Sequence, residues 1–107
     1  MLLPKPIQTY FDSISPTDGD AVVAAFAPYA SVHDEGRIHR GSDEIRSWWL
    51  SAQQKYKHRA EPIELLQMPA KTVVRAKVSG EFQGSPIVLS FTFGLAGNHI
   101  TELEIGS

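Results

Sequence analysis

The 107-residue chain contains no cysteine, which excludes a disulfide framework and thiolate chemistry and suits a reducing compartment. It also carries little net charge, ten lysines and arginines against twelve aspartates and glutamates leaving −2. That balance offers no extended positive surface for phosphates or anionic lipid, so neither nucleic acid nor membrane is expected as a partner. No run approaches the roughly 20 apolar residues of a membrane span. The opening Met1-Leu2-Leu3-Pro4-Lys5-Pro6 lacks the apolar stretch of a signal peptide, and a cytoplasmic protein is the expectation. Repeats, low-complexity tracts and linkers are missing as well. A hydrophobic fraction of 42% is enough for one core, so residues 1–107 are read as a single domain.

What the chain does have is a dense polar stretch, Ser31 to Gly41, reading SVHDEGRIHRG. Two histidines, two carboxylates and two arginines stand there between an apolar segment and an aromatic one. Polar groups near a core must be paired or used. The stretch is therefore read as the mouth of a pocket.

Upstream, Ile7, Tyr10, Phe11 and Ile14 recur at helical spacing after Pro4 and Pro6, which predicts a first helix ending near Ser15-Pro16. Val22, Val23 and Phe26 predict a second helix over Ala21 to Ala27, stopping near Pro28. Ala30 to Asp34 reads as a strand with Val32 and Asp34 on one side and Ser31, His33 and Glu35 on the other; Gly36 turns it, and Arg37 to Arg40 returns. Ser42 is expected to cap a third helix, on which Ile45, Trp48, Trp49, Ala52 and Tyr56 form one aromatic face. Two adjacent tryptophans point about 100° apart on a helix, and Trp48 is the one assigned to the cavity.

The remainder alternates as strands do. Lys57 to Met68 is a strand bulged at Pro62, Thr72 to Phe82 places Val74, Ala76, Val78 and Phe82 on one side, and Ile87 to Leu95 lines up Leu89, Phe91 and Phe93. A hairpin turn at Ala96 to His99 leads into a closing strand ending at Ile105. Three helices followed by antiparallel strands give an α+β class, with helices on one face of a curved sheet enclosing a pocket.

The order of these elements, with Tyr10-Phe11, Asp20 through Phe26-Ala27-Pro28 into Val32-His33-Asp34, Gly41 through Ile45-Arg46-Ser47-Trp48, and Ser90-Phe91-Thr92-Phe93 followed by Gly97 and Ile100, resembles the nuclear transport factor 2-like (NTF2-like) superfamily. The likeness is to its SnoaL-like proteins and ketosteroid isomerases, and it runs over essentially the whole chain. It implies a cone-shaped fold of three N-terminal helices on a curved, mainly antiparallel sheet. In the ketosteroid isomerases a helix-one tyrosine donates to an enolate oxygen and a strand-end aspartate moves the proton. Tyr10 and Asp34 match those positions. The second oxyanion acid of those enzymes falls at about Leu89, no aspartate follows Asp43 where SnoaL-like cyclases use one on a late strand, and Arg75-Ala76-Lys77 lacks the acid of the related epoxide hydrolases.

The resemblance and the residues together give an expected site. Asp34 serves as general base with a pKa raised by burial, and Tyr10 or His39 supports a charged oxygen. Trp48, Phe91, His33 and Phe93 contact a small apolar or cyclic substrate. No cofactor is required for proton transfer beside a carbonyl. No metal is assigned, since His33, His39 and His58, even with Asp34 or Glu35 nearby, lack the spacing of a metal motif. The other reading is a non-catalytic binding or scaffold protein. In both, the flat outer sheet face carrying Arg75, Lys77, Ser90, Thr92, Glu102 and Glu104 is expected to form a homodimer.

Overall fold

Pro4 precedes and Pro6 sits within the first turn of α1 (Lys5–Asp12), which buries Pro6, Ile7, Tyr10 and Phe11 along one stripe. The computed structural model describes residues 2–107; Met1, at the head of the sequence's lead-in, lies outside them. Helix α1 ends earlier than the spacing predicts. Ser13 turns extended and its hydroxyl donates to the Thr9 carbonyl at 2.7 Å. Asp18 then accepts hydrogen bonds from the amides of Ile14 and Ser15, drawing the next residues into a short 3₁₀ turn, Pro16–Asp18, which Ser15 caps. Ile14 is consequently 41% exposed and leaves the buried stripe.

Helix α2 (Gly19–Ala25) also stops short of its expected end, and Phe26, Ala27 and Pro28 open strand β1 (Phe26–Asp34) instead. A residue before proline is pushed out of the α region, which ends the helix. The proline is tolerated in the strand because the β1 ladder shifts register between Phe26 and Ser31, where a missing amide hydrogen breaks no regular pairing. Strand β2 (Arg37–Arg40) returns antiparallel, with Asp34 opposite Arg37.

Helix α3 (Gly41–Tyr56) begins one residue before the expected cap. Ser42 does not cap it; the Glu44 carboxylate accepts from the Arg40 amide at 2.9 Å and satisfies that end. Strands β3 (Arg59–Gln67), β4 (Thr72–Ser79), β5 (Ile87–Ala96) and β6 (His99–Gly106) complete one six-stranded sheet in the order β2-β1-β6-β5-β4-β3. The pair β1 and β6 is parallel and all others are antiparallel. The bulge expected near Pro62 is present, between Pro62 and Glu64. Phe82 falls beyond the end of β4, in the loop.

Alternation decides which face is covered. Val74, Ala76 and Val78 of β4, Phe91 and Phe93 of β5, Leu103 of β6 and Val32 of β1 point inward, and α1 and α3 close over them with Ile7, Ile45 and Trp49. The result is the α+β cone that the resemblance implies, with the helices packed on one face of the sheet. Among the described residues no helix is long and apolar enough to cross a membrane.

Candidate functional site

Asp34 owes its direction to strand parity. Ala30 and Val32 are fully buried on the inner face of β1, and Asp34, two residues on, faces the same way. The chain turns at once after it: Glu35 and Gly36 have φ of 52° and 75°, the paired left-handed residues of a tight two-residue hairpin, which Gly36 adopts without strain. Helix α3 crosses above, and the Trp48 indole N–H donates to Asp34 Oδ2 at 3.0 Å. Tyr56, two turns further along α3, donates to Glu35 Oε1 at 3.0 Å. These two bonds seam α3 to the hairpin.

Below the seam lies a cavity of about 390 Å³ between α1, α3 and the sheet, walled by Asp34, Tyr10, Trp48, Phe91, Leu89 and Ile87 among others. Burial is the largest influence on Asp34 and raises its pKa above the ordinary 3.8; the neighbouring Glu35 charge adds to this, while the Trp48 N–H, His39 and the Glu35 amide oppose it. Arg37 stands opposite Asp34 in the hairpin, yet among the described residues no lysine or arginine forms an ion pair with Asp34. The only cationic influence on it among these residues is the charge of His39, which is weaker than burial.

Tyr10 reaches the cavity from α1, its ring clamped by Phe11, Phe26, Phe91 and Phe93 at centroid distances of 5.2, 6.3, 6.1 and 5.8 Å. Burial first, and then the Asp34 charge, push the phenol pKa far up, so the hydroxyl stays protonated and available as a donor. A base and a hydrogen-bond donor thus share one largely apolar space.

Three expected site residues stand elsewhere. His33 is adjacent to Asp34 on a strand and so points to the outer face, beside Glu104 of β6 and Ile38 of β2. Phe93 is fully buried beneath Tyr10 and Phe11 and is core. His39 lies behind Trp48, rings 6.0 Å apart, in a groove on the far side of the indole. It acts on Asp34 through charge alone and supports no oxygen inside the cavity. Trp48 and Phe91 are both on the wall, and so is Trp49, which the helical spacing turns toward the sheet. Among the described residues no three histidine, aspartate or glutamate side chains gather as a metal set.

Sequence reasoning passed over His58 and Phe82 as site residues, though both line the cavity. The inward parity of Ala60 on β3, read two residues back, is the signal for His58; its backbone placement comes from a left-handed Lys57 (φ 47°) that no pattern announces. Gly80 makes that placement possible. A Cβ there would stand 2.7 Å from the Tyr56 carbonyl oxygen and 2.9 Å from His58 Cα, and the Tyr56 carbonyl already accepts from the Glu81 amide at 2.7 Å. Since both neighbours are backbone, Gly80→Ala is expected to destabilise the fold by about 1–3 kcal/mol, a fall in melting temperature on the order of 10 °C by calorimetry.

The comparisons with known proteins agree with this fold. No protein-family model matches the chain and no curated protein matches it. Among solved structures, a candidate polyketide cyclase from Sinorhizobium meliloti is 44% identical, with a TM-score of 0.91 over 96% of this chain and 94% of that one. A ketosteroid isomerase-like protein from Catenulispora acidiphila, solved with trimethylamine, has a TM-score of 0.84 at 15% identity over 99% of this chain and 87% of that one. An NTF2-like protein of unknown function from Cytophaga hutchinsonii has a TM-score of 0.76 at 11% identity over 98% and 89%. The last two show a shared fold. The first, alike over nearly all of both chains, shows kinship, and the chain belongs to the family of that candidate polyketide cyclase, on an NTF2-like fold.

Proposed function

We propose that this protein moves a proton to and from a carbon beside a carbonyl in a small, mainly apolar ring compound. The carrying observation is the pairing of Asp34, without a lysine or arginine partner among the described residues, and the Tyr10 hydroxyl on one largely apolar cavity. In this reading the Asp34 carboxylate takes the C–H proton and becomes a carboxylic acid, the electron pair moves onto the carbonyl oxygen, and Tyr10 donates to that oxygen as its charge grows. Asp34 then returns the proton to carbon. Trp48 keeps the carboxylate oriented by donating to one of its oxygens. The kinship with a candidate polyketide cyclase supports a cyclic, oxygenated ligand, and a cavity of about 390 Å³ suits two or three fused rings.

The test is deuterium incorporation into 1-tetralone in D₂O, followed by proton NMR. The parent protein is expected to exchange the α-protons faster than buffer alone, and Tyr10→Phe to slow that exchange about 10²-fold. A second reading, a binding or scaffold homodimer joined through the outer sheet face, is favoured by Leu89, an apolar residue where the ketosteroid isomerases carry a second acid. Exchange no faster than buffer decides for it.

A further inference from the structure

We propose that His58 is a second ligand-binding group of the cavity, and that the ligand is a ring compound with two oxygen functions, one held by Tyr10 and Asp34 and the other by His58. The inference rests on reading the cavity as a ligand site. Strands β1 and β3, which bring Asp34 and His58 to it, are separated in the sheet by three others. Between them the inner face is apolar: Ile105 and Phe91 pair on neighbouring strands, Leu89 pairs with Ala76, and Ile87 with Val78. His58 therefore supplies polarity at the far edge of an apolar sheet wall, with Gln83 also lining the cavity.

The imidazole is a positioned group. The backbone on either side of it is fixed by the left-handed Lys57 and by Gly80 at close approach, and the Tyr56 ring stands 6.4 Å from it. Burial holds His58 below the ordinary histidine pKa against the pull of Asp34, so the neutral ring presents one donor and one acceptor, either of which can meet a ligand hydroxyl. Such a group in an apolar wall discriminates, because a ligand lacking the matching oxygen leaves it unpaired.

The experiment compares 2-naphthol with 2,6-dihydroxynaphthalene, which share a flat ring body and differ by one distal hydroxyl, by titration calorimetry against the parent, His58→Phe and His58→Gln. The second hydroxyl is expected to tighten binding to the parent about three- to tenfold. His58→Phe should erase that gain, so that the two compounds bind alike, and His58→Gln, which keeps a polar group, should restore part of the difference. A histidine that merely packs would move both affinities together. Equal affinity of the two compounds for the parent, a gain that survives His58→Phe, or no binding of either compound overturns the proposal. The role of Asp34 stands or falls separately, on the tetralone exchange.

Discussion

Asp34→Asn is expected to lower the rate of 1-tetralone proton exchange about 10³-fold, in the range that a positioned acid or base contributes. Asparagine keeps the shape and still accepts from the Trp48 indole, so the loss reports the missing base and not a collapsed seam. The same substitution should make the fold more stable at neutral pH. Folding raises the Asp34 pKa, so between 3.8 and the raised value the folded chain binds a proton that the unfolded chain has lost. Stability therefore falls as pH rises through that window, and Asp34→Asn removes the fall. The variant's advantage should vanish below 3.8, where both states of the parent are protonated. The groups acting on Asp34 from the elements around it are Glu35 and His39 of the hairpin, Trp48 of α3, Tyr10 of α1 and His58 at the entry to β3. Unfolding midpoints in urea across pH, for parent and variant, measure the difference.

Phe93→Ala is expected to cost about 3–5 kcal/mol, the penalty for emptying a fully buried aromatic site. A domain of this size has roughly 5–15 kcal/mol in total, so the variant should melt at least some 12 °C lower. The ring packs edge-on against Tyr10 at 5.8 Å and Phe11 at 6.0 Å, and its loss loosens the clamp beneath the Tyr10 ring. Because Phe93 does not line the cavity, 2-naphthol affinity measured on the folded fraction should stay within a few-fold of the parent. A ligand-contacting Phe93 would give the reverse, weak binding with a nearly unchanged melt. Thermal unfolding and binding on one sample separate the two.

The contrast between Phe91 and Phe93 shows how far the sequence reaches. Both alternate onto the inner face of β5, and parity alone cannot say which is deeper; Tyr10 and Phe11 of α1 pack against both rings, yet Phe93 is fully enclosed while Phe91 also borders the cavity. Parity was sufficient for His33, which cannot share a face with its neighbour Asp34. A substrate contact by His33 inside the cavity is therefore forbidden by the pleat. The sheet was legible because β4 and β5 alternate over many residues, and α3 because its aromatic face repeats over three turns. Residues 26–29 were not, since Val22, Val23 and Phe26 keep helical spacing and Pro28 ends the helix before Phe26 can join it. His58 stayed hidden because its position depends on Lys57 and on the contact with Gly80, a long-range packing event that local patterns do not record.

Central to all of this is that Asp34 is a half-buried carboxylate facing an apolar cavity with no lysine or arginine partner among the described residues. Its side-chain carboxyl carbon, followed by ¹³C NMR through an acid titration, tests that most directly. The account predicts a midpoint above 3.8 that climbs further in Trp48→Phe, where the indole N–H is gone. A midpoint at or below 3.8, unmoved by Trp48→Phe, would mean that Asp34 is solvated or ion-paired, and the acid–base reading would have to be abandoned.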